Sequence, residues 1–173
     1  YTVTKLKLTV SQLSTAMGRV IPTAKAAGVG IEQVSAAYVE MTKNGVSVEE
    51  STTYVNSMLN ELNKSGTKVD KTLRQISGKS FKELMESGAS VGDALAILDK
   101  HAKSNGKTLG DLFGSSEAAK AGFILAEESG EKFNETLKKL GSSAGSTEEA
   151  FDKVSNTTQA KFMKTLNESK NSL

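Results

Sequence analysis

The sequence predicts an all-α fold of short helices and helical hairpins that are separated by glycine breaks, with seams like those of coiled coils. Three observations predict it. Apolar residues recur three and four positions apart in most segments, a spacing that lines one face of a helix. A Ser or Thr commonly stands before these segments and a Gly after them, as helix caps favour. No segment shows convincing alternation of apolar and polar residues at the two-residue period of strands.

The composition argues against several classes of function. The chain has 173 residues, 5% aromatic residues and no Trp, which suits thin helix pairs better than a thick enzyme core. Its 22 basic and 20 acidic residues are interspersed and leave a net charge of +2, too weak a field to recruit nucleic acid. The absence of Cys excludes disulfides and thiolate metal sites, and no apolar run is long enough to cross a bilayer.

The first helix is predicted over residues 1–27, which form an N-terminal unit. Proline removes a backbone donor, so Pro22 is expected to end or kink this helix, with one further turn before Gly28. Because the chain opens on Tyr1 inside the pattern, we expect a piece of a longer protein whose helix continues upstream. The apolar stripe repeats at spacings of three and four: Val3, Leu6, Val10, Leu13, Met17 and Val20.

A helical hairpin is predicted next. Asn44-Gly45 stops the second helix, and Ser47 begins the third, in capping-box register with Glu50. We expect the two helices to be antiparallel because a short turn joins them. Their apolar faces are Ile31, Val34, Tyr38 and Met41, followed by Val48, Val55, Leu59 and Leu62.

Two brief helices and a longer one are predicted after the hairpin. Gly78 ends the first, Ser80 with Glu83 caps the second, and Ser90 introduces the third, which Asn105-Gly106 stops. Their apolar residues are, in order, Val69, Leu73 and Ile76; Phe81, Leu84 and Met85; and Val91, Ala94, Leu95, Leu98 and Ala102.

The stretch 106–140 is predicted to organise the chain. A capped turn at 108–111 precedes an alanine- and glutamate-rich run that is predicted to be one long helix, completing a helical core over residues 28–141. Small residues alternate with rings along its stripe, which suits self-association. The stripe is Ala119, Phe123, Ala126, Gly130, Phe133, Leu137 and Leu140.

Residues 142–173 are predicted to be a linker and a polar C-terminal helix. The glycine- and serine-rich sequence 141–145 is typical of a flexible break. Ser146 and Glu149 then cap a helix whose middle is polar on every side, so we expect it to fray or to need a partner. Its apolar residues are Phe151, Val154, Phe162 and Leu166.

Several sequences imitate nucleotide-binding loops. Gly78-Lys79-Ser80 and Gly106-Lys107-Thr108 resemble the end of a P-loop, but Leu73 and His101 stand where the motif needs Gly, and no strand precedes either site. Gly28-Val29-Gly30 lacks the third glycine of a dinucleotide-binding fingerprint. Helix caps explain these sequences better.

No catalytic, cofactor-binding or metal-binding residue is predicted, and the chain is not expected to be an enzyme. The sequence 141–145 spells a hydrolase elbow, but a helix leads into it and the histidine comes too early. His101 has neither a second His nor a Cys to complete a zinc site. Glu127 and Glu128, considered as lytic carboxylates, point about 100° apart on a helix and cannot flank one substrate bond.

In their order and spacing these elements resemble the phage tail tape measure protein family, specifically its shared helical core region. The resemblance rests on Gly28-Val29-Gly30-Ile31-Glu32-Gln33-Val34 through Ala37, on Asn44-Gly45 before a capped helix, and on Leu109-Gly110-Asp111-Leu112-Phe113-Gly114 before an alanine-rich helix. It covers roughly residues 14–166. Family members typically carry a Ser cap where Gly30 stands.

The resemblance implies a structural role in tail length determination, tail assembly and genome ejection, in the lumen of the virion tail and, during assembly, in the host cytoplasm. Implied partners are tail tube and tail assembly proteins and further copies of the chain, with a trimer fitting what the family suggests. This segment is expected to bind no nucleic acid, and membrane contact would come through other parts of the parent chain. The alternative is a bacterial helical interaction or signalling module without catalytic activity.

Overall fold

The computed structural model describes the backbone of residues 2–141 and the side chains of residues 15–140. Within this range the chain is helical and contains no strand, so the predicted all-α fold is confirmed. The linker and helix predicted over 142–173 lie outside the described residues. The helices are α1 (Thr2–Ala27), α2 (Ile31–Lys43), α3 (Val48–Asn63), α4 (Lys68–Ser77), α5 (Phe81–Glu86), α6 (Val91–Ser104), α7 (Ser116–Leu125) and α8 (Glu131–Gly141), with 3-10 turns at Leu109–Leu112 and Glu127–Gly130.

The first helix continues through Pro22, so of the two outcomes predicted for this residue, an end or a kink of the helix, the end is wrong. α1 reaches Ala27, and the apolar side chains of Val20 and Ala24, on either side of the proline, are fully buried. α1 packs mainly against α3. This burial holds both halves of the helix on the core and outweighs the loss of one backbone hydrogen bond at the proline ring.

The helix α2 lies at the centre of the fold. Ten of its 13 residues are buried, and it contacts α1, α3, α7 and α8. Ser35, Ala36 and Ala37 are small, so neighbouring helices approach α2 on more sides than the single apolar face that its sequence indicated. The core is therefore centred on α2 and not on the stretch 106–140.

α2 and α3 form the predicted hairpin about Gly45, whose φ of +83° is a conformation that glycine adopts without strain. Tyr38 before the turn and Thr52 after it lie at equal separations from Gly45 and are hydrogen-bonded, with 2.5 Å between the two hydroxyl oxygens. The helices therefore fold back on each other. Burial raises the pKa of Tyr38 to about 12, an effect that the Thr52 hydrogen bond and the charge of Arg19 partly oppose.

The next three helices begin at side-chain caps. The Thr67 hydroxyl accepts the Asp70 N–H at the start of α4, and full capping boxes begin α5 at Ser80 and α6 at Ser90. Of the three apolar residues in the predicted pattern of α4, Val69 and Leu73 are buried and Ile76 is 38% exposed. The buried residues of α4 lie in its first two turns, and Ile76 comes after them.

Two side chains of the hairpin cap helices that come much later in the chain. The Gln33 amide oxygen accepts the Val91 N–H at 2.7 Å, at the start of α6. The Glu61 carboxylate accepts the Gly114 N–H at 2.6 Å and the Ser115 hydroxyl at 2.9 Å, just before α7. A carboxylate is favourable there because the N-terminus of a helix carries partial positive charge. These contacts fix the starts of α6 and α7 relative to the hairpin.

The raised pKa of Tyr38 predicts a specific loss of stability in alkali. The folded chain holds the phenol proton more tightly than the unfolded chain, so this stability is complete below pH 10.0 and is lost as the pH rises towards 12. Between about pH 9 and about pH 12, the free energy of unfolding should fall by about 2–3 kcal/mol less in Tyr38→Phe than in the wild type. Urea unfolding measures this free energy at each pH. Tyr54→Phe is the matched control and should keep the wild-type profile. Equal losses in all three proteins would contradict the prediction.

Candidate interaction surface

The two glycine–lysine sequences form helix caps whose backbone N–H groups are already bonded. Gly78 ends α4 with a φ of +73°, and the next helix begins where the Ser80 N–H donates to the Glu83 carboxylate at 3.0 Å. In the second sequence the Thr108 N–H donates to the Asp111 carboxylate at 2.8 Å. The chain's own carboxylates thus take the hydrogen bonds that a phosphate would need.

The same hydrogen bonds set the charge state of these carboxyl groups. The backbone N–H of Ser80, followed by its hydroxyl, lowers the pKa of Glu83. The backbone N–H of Thr108, followed by its hydroxyl, lowers the pKa of Asp111 in the same way. Both carboxylates are therefore held ionised as local caps.

The other residues considered for chemistry lie on three separate elements: before α2, on α6, and in the Glu127–Gly130 turn. Gly30 begins α2 without a side-chain cap, as the absence of Ser there predicted. His101 is half-buried on α6, with its Nε2 atom 3.4 Å from the Asn105 amide nitrogen. Glu127 and Glu128 both lie near the Lys132 ammonium, at 3.5 and 4.0 Å. Among the described residues, no group of His, Asp or Glu side chains is arranged to hold a metal ion.

The prediction of one long helix after the Leu109–Leu112 turn is wrong, because a break in the helix separates α7 from α8. Glu128, Ser129 and Gly130 are all left-handed, with φ of +52°, +59° and +78°. For the first two residues this conformation is strained, since it brings Cβ close to the backbone. The break is a sharp change of direction within a sequence that contains no proline.

A glycine pair allows the break to pack on α6. A Cβ atom at Gly130 would lie 2.5 Å from the carbonyl oxygen of Gly92, and a Cβ at Gly92 would lie 2.9 Å from the Phe133 ring. Both distances are shorter than van der Waals contact, so neither position accommodates a side chain while the backbones stay where they are. The break therefore depends on Gly92, a residue far away in the sequence.

Side chains of α8 hold the helix in place after the break. Asn134 accepts a hydrogen bond from the Ser90 hydroxyl at 2.5 Å and donates to the Asp93 carboxylate at 2.9 Å, so it joins α8 to the capping box of α6. The buried Thr136 hydroxyl donates to the Glu40 carboxylate of α2 at 2.7 Å. These contacts could not be predicted from patterns within one helix because the partners lie 41 to 96 residues apart.

The stripe predicted for self-association is divided by the break. Ala126, Gly130, Phe133 and Leu140 are buried within the chain, and Ala119 and Leu137 are half-buried. Phe123 is the stripe residue that faces solvent, with 47% of its surface exposed. The stripe therefore serves mainly the chain's own core.

A surface groove of about 350 Å³ surrounds Phe123. The ring lies over Gly110, where a Cβ atom would be 3.0 Å away. A second groove of about 350 Å³ lies beside it and shares part of its lining. Both signs of charge occur around the grooves, which are lined by Ala96, Ile97, Asp99, Lys100, Lys103, Lys107, Thr108, Phe123, Ala126, Glu127, Glu128 and Ser129. An apolar ring framed by mixed charges is suited to contact with another protein surface.

The chain matches one family model and one relative that are both phage-related. The family model described as phage-related minor tail protein matches residues 1–114. A protein of Clostridium phage phiCD119 (strain Clostridium difficile/United States/Govind/2006), described as a probable tape measure protein, is 39% identical over 159 residues. The match covers 88% of this chain and 17% of that protein, so the chain spans about one sixth of the relative's length. No solved structure matches the chain.

Strain at Ser129 predicts that a glycine there stabilises the protein. Ser129→Gly removes the steric cost of the left-handed conformation, and we expect a net gain of roughly 0.5–1 kcal/mol in the free energy of unfolding. The matched control is Ser57→Gly in the middle of α3, which should lose roughly 0.5–1 kcal/mol because glycine disfavours regular helix. Urea unfolding measures both. Loss of stability in Ser129→Gly would show that the left-handed turn carries no strain.

Proposed function

Because the chain belongs to the family of phage-related minor tail proteins, which includes tape measure proteins, we propose that it is a segment of a tape measure protein acting in tail length determination and tail assembly. The family is one of structural tail proteins, which gives the chain a structural role in the tail. The observation that supports the proposed tape measure role is the 39% identity to a probable tape measure protein across 88% of the chain.

The physical character of the fold supports a structural role. Side chains in the described part of the chain bury one another, as Phe133 and Leu140 of α8 do. Polar contacts such as the one between Glu61 and Gly114 connect segments that are distant in the sequence. The glycine turns that resemble phosphate-binding loops are bonded to the chain's own carboxylates. These features stabilise the folded shape of the chain and are not typical of a site that binds a small substrate.

A helix is a natural unit of length because it converts residue number into distance at about 1.5 Å per residue. At that rise, α1 with its 26 residues is about 39 Å long. The rest of the described chain folds back on itself, since Glu40 of α2 is bonded to Thr136 of α8. We therefore propose a folded helical unit within a longer molecule, which contributes less length per residue than a continuous rod.

The partners proposed for this unit are other tail proteins and further copies of the chain. The groove around Phe123 carries both Lys107 and Glu127, so two copies related by a two-fold axis could place opposite charges together. A location in the tail lumen and a part in genome ejection are proposed on the family resemblance. No described helix is both long and apolar enough to cross a lipid bilayer.

The alternative from the sequence, a bacterial interaction module with no phage role, would suit the same fold. No observation favours it over the tail role, whereas the relative named above belongs to a phage. We therefore retain the tail role alone.

The role in tail length is tested by deleting residues 28–141 in frame from the parent phage gene. As a continuous helix these 114 residues would span about 170 Å. Since the described chain folds back, we expect tails shortened by less than this, or a failure to assemble tails. Electron microscopy of negatively stained particles measures the length, with a phage carrying the exposed substitution Lys138→Ala as the control. Tails of unchanged length on fully infectious particles would contradict the proposal.

Self-association through the groove is tested by Phe123→Ser in the 173-residue chain. We expect the wild type to associate with rising concentration and the variant to do so at least tenfold more weakly, because an interface loses its central apolar anchor. Sedimentation velocity measures the association constant. Ile76→Ser, which alters another exposed apolar residue, should behave as the wild type does. A wild type that stays monomeric, or equal loss in both variants, would rule out this groove as the contact.

A further inference from the structure

The apolar pattern of α7 continues through the break into α8. The stripe from Ala119 to Leu140 keeps its spacings of four and three without interruption across residues 126–130. A single straight helix would therefore place the whole stripe on one side. Of the five residues in the break, Ala126, Glu127 and Glu128 favour helix, and Gly130 alone strongly disfavours it.

The backbone at the break is strained in the bent form. Glu128 and Ser129 occupy the left-handed region, which residues with a side chain rarely adopt. A straight helix would return both to right-handed conformations. The apolar spacing and the backbone energy at Glu128 and Ser129 therefore both favour the straight form.

Contacts from outside the break favour the bent form. Gly130 packs on Gly92, Asn134 joins the capping box of α6, and the Thr136 hydroxyl donates to Glu40. Phe133 and Leu140 are buried in the same arrangement. When local interactions favour one conformation of an element and long-range contacts favour another, the element can have two stable states.

We propose that residues 126–130 form a two-state joint, bent in the folded unit and straight when α8 leaves α2. In the straight state residues 116–141 form one helix of about 39 Å at 1.5 Å per residue. Straightening uncovers the apolar side chains that α8 now buries. The use of this change to add length in a tail rests on the proposed function, whereas the joint itself belongs to the isolated chain.

The test measures one distance in the purified 173-residue chain. The chain has no Cys, so spin labels attach specifically to Ser116→Cys and Lys138→Cys, both at exposed positions. A straight helix separates these Cα atoms by about 33 Å. Double electron–electron resonance gives the populations of the bent and straight distances, and circular dichroism gives the helix content.

Three variants shift the populations in stated directions. Gly130→Ala favours helix and blocks the bent form, so the ratio of straight to bent should rise more than tenfold with helix content at least at the wild-type level. Thr136→Val removes the bond to Glu40 outside the joint and should raise the ratio roughly 2- to 10-fold. Gly78→Ala, a substitution at another left-handed glycine with open space around it, is the control and should leave the ratio unchanged.

Two outcomes overturn the proposal. One is a Gly130→Ala chain that keeps the bent distance, and the other is a Gly130→Ala chain that loses helix content without gaining the straight distance. Neither depends on phage assembly, so a failure here leaves the proposed tail role standing. Conversely, unchanged tail length after the deletion would leave the joint intact as a property of the chain.

Discussion

The burial of α2 on several sides is the constraint on which the rest of the fold depends. A helix that is covered by α1, α3, α7 and α8 can bury a charged side chain at low cost only if that charge finds a partner inside the protein. Glu40, which is 3% exposed, meets this requirement through the Thr136 hydroxyl and the Lys43 ammonium. Because Thr136 of α8 supplies this buried hydrogen bond, α8 is held against the core by a hydrogen bond as well as by apolar packing.

The features that could be predicted from the sequence are those that depend on residues close together in the chain. Helix caps at Ser47, Ser80 and Ser90 were predicted because a cap and its N–H partner lie three residues apart. Apolar spacing likewise predicted the buried face of α6, which needs no knowledge of what covers it. The all-α fold follows from these local rules, and so does the reading of the glycine–lysine sequences as caps.

Features that depend on distant residues could not be predicted in this way. The break before α8 interrupts a continuous helical pattern because Gly130 meets Gly92, and nothing near either glycine reveals the other. Pro22 failed to end α1 because packing on both of its sides outweighs a local cost. The caps supplied by Gln33 and Glu61, and therefore the placement of α6 and α7, are also invisible to patterns within one helix.

The hydrogen bond between Glu40 and Thr136 also bears on how the protein is made on the ribosome. The two residues are 96 positions apart, so at a synthesis rate of roughly 5–20 residues per second α2 is complete for about 5–20 s before its partner exists. Throughout that interval the side of α2 that α8 covers, which includes Glu40, lacks its partner, whereas α1, α3 and α7 are translated before α8. Synthesis in a host cell thus leaves this segment open to chaperones, and to premature contact with neighbouring nascent chains, until α8 has been translated.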